Sequence, residues 1–586
     1  MTTVRGVKQM RGHLGDLAAI GLITAFIAAV SQRWSGFTSP DSEFYASLAL
    51  FGNEVADRAL EPAYTWTRLG YIAPVRFLTA VFGPWVGFEI WRVLLIAMIV
   101  GSTYAIAHIA GRSRWLGTLL ATLVGLNTVV LAFVGNTYLT GTILAATFVL
   151  IALAVSLLGS TAHQGSGLAG SPRWSTGLLS GLLAGWLLML NPYAFILGTG
   201  LWIAIRLVVL IRLSGNRLRF LAIDAAAAIT GTAVSFTAFL LAGRVIFPGR
   251  SWWGTYLEWN ERLDYTDFVG DPTTWQRDTA LIVVVVALIA SITATIAQPR
   301  HRWAWAALAL SVANIVITVT LMLVLTGPWL ESPTYVAKLW PAALASLVLT
   351  FVSMSPGTHE GKPLYRPFAV AGLVITAPAM LWTGRFDRVL ALNWAWLLAL
   401  FIVTLVGVTA WLVRRHWNRI VSLTLIAVVG ATFIAAQLWQ NGRGLLGIYG
   451  QYPFRSAFVD FSYDDQMAAK VALQRWLLER TESQDRIAIW TDPARLTADI
   501  AGMQLWGDVN LATTKATLDR DTTTRLEALR PSVIAMYAPD KVQIDSFFAS
   551  LPPWALPSEL ECTREPYLGI GTGEAVVCIT RLTWVG

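Results

Sequence analysis

The sequence predicts an α-helical polytopic membrane protein with a C-terminal extracytoplasmic α/β domain, on three observations. Of its 586 residues 55% are hydrophobic and 13% charged, and the apolar residues gather into runs of about twenty, the length a helix needs to cross the hydrocarbon core. Short clusters of Lys and Arg sit at alternate links between those runs, as topology signals do. After residue 437 the composition becomes that of an ordinary soluble domain.

The runs place about thirteen spans, at 14–31, 86–110, 116–134, 139–158, 175–190, 193–212, 219–244, 279–297, 303–326, 337–354, 366–383, 389–413 and 418–437. The first run continues into Gln32-Arg33-Trp34 without a small-residue cleavage site, so it reads as a retained span rather than a signal peptide. Arg5/Lys8/Arg11, Arg112/Arg114, Arg212/Arg217/Arg219, Arg300/Arg302, Lys362/Arg366 and Arg414/Arg415/Arg419 all fall on one side when the spans alternate, and that side is the cytoplasm. The N-terminus is then cytoplasmic, and residues 1–437 form a membrane domain with large external loops at 32–85 and 245–278. The net charge of +8 does not point to nucleic acid, because the basic residues lie in short links rather than along one face. The link LMLNPYAF allows either a tight hairpin or one long helix broken at Pro192; the charge alternation favours the hairpin.

Directly after the first span comes GFTSPDSEFYASLALFG, residues 36–52. Thr38 or Ser39 as a helix cap, Pro40 in the first turn, and Asp41 and Glu43 against the positive end of the helix dipole account structurally for both acids. Ionisable groups held at the mouth of a membrane bundle are also candidates for function. EFYASLALFGNEVADRAL has near-helical apolar spacing with charge on its other face, and PVRFLTAVFGPW looks similar. Both are predicted as helices lying on the membrane surface.

Pro40-Asp41-Ser42-Glu43-Phe44-Tyr45-Ala46 is similar to the Pro-Asp-Glu-x-x-Tyr-Ala pattern of lipid A aminoarabinose transferases and their protein O-mannosyltransferase relatives. With the acidic first loop, two surface helices, about a dozen spans and an external C-terminal domain, the chain resembles the GT-C superfamily of membrane glycosyltransferases. It departs from the pattern at Ser42, where the pattern has an acid; Glu43 stands one place later. The resemblance implies a sugar donor carried on polyprenyl phosphate, a glycan, lipid or protein acceptor, and a reaction at the outer face of the plasma (inner) membrane in cell-envelope assembly. It implies Asp41 as general base, with Glu43 the second catalytic carboxylate and Tyr45 near the substrate. Direct displacement of the lipid phosphate by an acceptor hydroxyl would invert the anomeric carbon.

Other residues extend that expectation. The loop FPGRSWWGTYLEWNERLDYTDFVGDPTTWQRD offers Trp253 for stacking on a sugar, and Glu258 and Asp264 for its hydroxyls, although Trp also gathers at membrane interfaces and acids on an external loop are ordinarily solvated. Lys338, in ESPTYVAKLWP, is a lone ammonium just inside a span, a place that favours an anionic partner such as a phosphate. Arg244 and Arg250, with Arg385 and Arg388, are alternative phosphate cations, and each can instead snorkel to headgroups. Arg68 and Arg76 flank Tyr71 and are assigned no chemistry beyond pairing with Glu61 or Glu54. No cofactor is expected; a divalent ion stays open but unsupported, since Asp264 and Asp267 lack the spacing of a recognised metal motif. All six histidines fall on the cytoplasmic side, which leaves carboxylates to do external acid–base work.

In the external domain, residues 438–586, DRIAIW, DVNLATT and PSVIAMYA read as buried strands between helical patterns. The end, LECTREPYLGIGTGEAVVCITRL, reads as a hairpin with Cys562 and Cys578 on its two arms, where a disulfide would fit an oxidising exterior and two free thiols are the alternative. Two rival functions remain in view. One is an oligosaccharide polymerase or ligase, whose lipid-linked donor bears a chain. The other is a transporter, which would show paired halves; no internal repeat is visible.

Overall fold

In a computed structural model, the described residues are 2–31, 40–56, 64–111, 113–135, 139–160, 174–212, 217–256, 279–325 and 337–354. Beyond them the described residues are 476, 478–482, 485, 487–491, 509–510, 520–538, 541–566 and 574–585. The described residues up to 354 are almost all helical. Its first helices are α1 (Thr2–Val30), α2 (Pro40–Phe51), α3 (Asn53–Ala56), α4 (Leu69–Phe82), α5 (Pro84–Gly111), α6 (Arg114–Gly125) and α7 (Thr128–Val134). There follow α8 (Thr140–Ser160), α9 (Trp174–Leu190), α10 (Pro192–Arg212), α11 (Arg217–Ile246), α12 (Thr279–Ala297), α13 (Arg302–Leu325) and α14 (Trp340–Met354). Among the described residues, five helices are long and apolar enough to cross a membrane by length and composition, within α5, α8, α10, α11 and α13, and shorter apolar helices accompany them. The predicted spans 366–383, 389–413 and 418–437 lie outside the described residues.

Three local outcomes differ from the sequence pattern or resolve its alternatives. The run 116–134 is two helices, not one: Leu126 ends α6 by donating back to Thr122, and the Asn127 side chain accepts from Val130 N and caps α7. At 190–193 the Asn191 side chain accepts from Tyr193 N and starts α10, and α9 and α10 pack side by side, so the chain turns back as a tight hairpin. The helix predicted on the membrane surface from Glu43 onward is instead enclosed. Every residue from Tyr45 to Ala49 is buried, because α4 packs along α2.

The bundle is tight where side chains are absent. Gly177, Gly181 and Gly185 of α9 lie directly against the backbone of α11, and a Cβ at Gly181 would come within 2.0 Å of the Ala228 carbonyl oxygen. α8 is enclosed by α5, α9, α10 and α14, whereas α11 is largely exposed and packs chiefly on α9.

The C-terminal part is a mixed sheet of β1 (Ile487–Thr491), β2 (Val509–Asn510), β3 (Val533–Ala538), β4 (Ala555–Pro557), β5 (Glu561–Pro566) and β6 (Glu574–Trp584), with helices α15 (Arg520–Leu529) and α16 (Lys541–Ala549). The order is β2-β1-β3-β6-β4, with β5 also on β6; β2, β1 and β3 are parallel and β6 is antiparallel to β3. Each strand predicted from DRIAIW, DVNLATT and PSVIAMYA is present, and Cys562 stands opposite Cys578 across β5 and β6 in a disulfide.

Candidate functional site

The segment that follows α1 is held by side-chain donors that reach backbone carbonyls. Arg92 of α5, paired with Glu89 at 2.6 Å, donates to Ala28 O at 2.9 Å and to Ser31 Oγ at 2.6 Å, which seals the end of α1 where the loop begins. The Arg76 guanidinium of α4 donates to Leu50 O at 3.0 Å and Ala49 O at 3.3 Å, satisfying carbonyls that the last turn of α2 leaves open. Gly52 follows at φ +58°, and a Cβ there would meet the same guanidinium at 2.9 Å. Arg250 donates to Ala56 O at 2.6 Å at the end of α3, and Trp252 Nε1 donates to Thr67 O at 2.7 Å. The segment that follows α11 is therefore packed on the one that follows α1. Trp252 also stacks on Tyr256 with ring centroids 5.2 Å apart.

Around α2 the aromatic rings form a row. Tyr45 meets Tyr71 edge-on at 6.1 Å, Tyr71 meets Trp91 at 6.4 Å, and Trp91 meets Trp186 at 6.1 Å. Asp41 and Glu43 stand in the first turn of α2; their side chains lie outside the described residues. Position 41 is one turn before Tyr45 on the same face of the helix, and position 43 is about 200° round the axis from it.

Near this row lies a buried cation. Lys338, 2% exposed in the turn before α14, lies 5.4 Å over the ring of Tyr193 at the start of α10. Arg68, immediately before α4, is close enough to Lys338 for the two charges to act on each other. A buried ammonium in a low-dielectric interior favours an anionic neighbour, and a phosphate is one such anion. Arg68 was assigned no such chemistry from sequence. Its signal was an arginine in a segment that returns to the bundle, and only the fold shows that the segment ends beside Lys338.

The remaining candidates fall elsewhere. Arg250 is engaged with Ala56 and Asn53, holding α3. Arg244 is exposed in the last turn of α11, where a cation faces the negative end of a helix. Trp253 is exposed beside Trp252 at 5.6 Å. Glu258, Asp264, Arg385 and Arg388 lie outside the described residues. Among the described residues no group of three or more His, Cys, Asp or Glu is placed to hold a metal ion. His108 and His301 both lie at the end of the bundle opposite the first loop.

No protein-family model matches the chain, and no curated protein matches it. Among solved structures it is similar to ArnT from Cupriavidus metallidurans bound to undecaprenyl phosphate, at 13% identity over 96% of this chain and 97% of that one, with a TM-score of 0.47. It is similar to the arabinofuranosyltransferase AftD from Mycobacteria at 15% identity over 97% of this chain and 41% of that one, with a TM-score of 0.45. It is also similar to the oligosaccharyltransferase of Archaeoglobus fulgidus in the apo form, at 8% identity over 89% of this chain and 69% of that one, with a TM-score of 0.40.

Proposed function

We propose that this chain is a membrane glycosyltransferase that moves a sugar from a polyprenyl-phosphate donor to an acceptor hydroxyl at the extracytoplasmic face of the plasma (inner) membrane. The observation that carries the reading is the burial of Lys338 in the turn before α14, 5.4 Å over the Tyr193 ring and within electrostatic reach of Arg68. A lipid-borne phosphate is the anion such a place suits, because its isoprenoid chain stays among apolar helices while its charge meets the cations. Asp41 takes the proton of the acceptor hydroxyl as that oxygen attacks the anomeric carbon; the bond from that carbon to the phosphate oxygen breaks, and the polyprenyl phosphate leaves into the field of Arg68 and Lys338. In-line displacement inverts the anomeric centre. Position 41 is favoured over 43 as the base because it shares the face of α2 that carries Tyr45 toward Tyr71.

The test is transfer from a polyprenyl-phosphate sugar by the full chain in nanodiscs. Asp41→Asn is expected to leave expression and thermal stability unchanged and to lower transfer by about a hundredfold or more, the scale of a lost general base. Full transfer by that variant removes Asp41 from the mechanism.

A further inference from the structure

Arg76 of α4 does more at the end of α2 than fill an open carbonyl. Its Nη1 donates to both Leu50 O at 3.0 Å and Ala49 O at 3.3 Å. The guanidinium also turns its plane to Gly52, since a Cβ there would stand 2.9, 3.0 and 3.2 Å from Nη1, Cζ and Nη2. Glu54, in the first turn of α3, is close enough for its charge to act on Arg76. Earlier on α4, Tyr71 meets Tyr45 of α2 edge-on at 6.1 Å. α4 therefore holds α2 at two places, along its length and at its end, and two places fix the direction of a rod.

A helix end can be capped by any donor of the right reach. Here the contact commits two residues: only glycine leaves room for the guanidinium and takes the φ of +58° at position 52 without strain. α2 has twelve residues. Such a helix is about 16 Å long, so a tilt of about 10° at the held end moves its first turn by roughly 3 Å. A misplacement of about 1 Å, even one that originates far from the chemistry, can cost about a hundredfold in rate. We propose that Arg76 is a positioning residue: seated on Gly52, it sets the direction of α2 and so the place of Asp41 relative to the donor sugar. The inference rests on the glycosyltransferase reading with Asp41 as base, and adds a residue that acts through Asp41 rather than on the sugar.

The experiment follows farnesyl phosphate released by the full chain in nanodiscs from its esters with a pentose, a hexose and an aminopentose, each with an alkyl glycoside as acceptor. The donor that wild type uses is carried forward, and rates are taken per folded molecule. Arg76→Met is expected to lower kcat by about ten- to a hundredfold and to leave the KM for the donor within about twofold of wild type. Arg76→Lys keeps the charge but falls one bond short of Leu50 O, and is expected to recover part of that loss. Gly52→Ala, which pushes the guanidinium from its seat, is expected to lower kcat in wild type and to add little in Arg76→Met. In an Asp41→Asn background, Arg76→Met is expected to change the residual rate by less than about twofold, because no base is left to place. The positioning role is overturned if kcat is unchanged in the Arg76 and Gly52 variants, if the loss falls on KM, or if Arg76→Met slows the Asp41→Asn protein as much as it slows wild type. Should Arg76→Met not fold, Arg76→Lys and Gly52→Ala decide by the same split between kcat and KM. No release by wild type from any of the three donors sinks the glycosyltransferase reading itself.

Discussion

Arg206 of α10 and Asp224 of α11 form an ion pair at 3.1 Å, with both side chains buried and the guanidinium 4.8 Å over the Trp202 ring. Such a pair contributes little net stability, because desolvation offsets attraction, yet removing one partner strands the other. Arg206→Leu is expected to destabilise the bundle by about 3–5 kcal/mol, whereas Arg206→Leu with Asp224→Leu recovers most of that loss; thermal unfolding in detergent reads both. Charged residues inside an apolar run were visible in the sequence, as Lys338 was. Their partners were not, because Arg206 and Asp224 lie on different helices and Lys338 and Arg68 are 270 residues apart in the chain. Asn314 could have been singled out as an amide amid Val, Ile and Ala; what only the structure shows is that Leu339 O accepts from it, while among the described residues nothing donates to its Oδ1.

At the scale of one element, α4 shows how tertiary contacts complete a helix that its own sequence interrupts. Pro74 lies inside α4 and has no N–H, so the carbonyl of Gly70 lacks its helical donor. Trp186 of α9 supplies one, its Nε1 donating to Gly70 O at 2.7 Å. Gly70 has no room for a side chain, since a Cβ would meet the Leu190 side chain at 2.9 Å and the backbone of α9 at 3.0 Å. Trp186→Phe, which keeps the ring in the row with Trp91, is expected to cost about 1–3 kcal/mol for the buried carbonyl left without a donor. Hydrogen exchange should quicken in 69–82 before other segments; uniform loss of protection would show that the indole acts on the whole bundle instead. The surface pattern of α2 misled in a related way. Its alternation suggested one wet face, but Arg76, Tyr71 and the packing of α4 enclose it.

Over the whole molecule, the C-terminal sheet offers a handle on the response to acid. Asp485, before β1, is buried, which alone would raise its pKa, but the Glu482 backbone N–H at 2.7 Å, the Arg581 guanidinium at 2.9 and 3.1 Å and the Ser532 hydroxyl at 2.9 Å hold it below the ordinary aspartate value. A carboxyl whose folded pKa is depressed contributes stability above its unfolded value, near 3.9 for aspartate, and that contribution is lost as pH falls from there through the folded value. The protection of 532–538 against hydrogen exchange, compared with Asp485→Asn at each pH, should exceed the variant's near neutrality and converge with it in acid; a difference that persists at the lowest pH would overturn the assignment. By itself the sequence determined the apolar helices, the buried strands ahead of a terminal hairpin and the place of the acidic motif, because hydrophobic period, chain length and charged links act locally. Only the tertiary structure decided that the first loop is fastened by Arg76, Arg92, Arg250, Trp186 and Trp252, that Cys562 faces Cys578 in a bond, and that Lys338 is buried over Tyr193. Those are pairings between distant segments, and no local pattern specifies which buried donor will find which carbonyl.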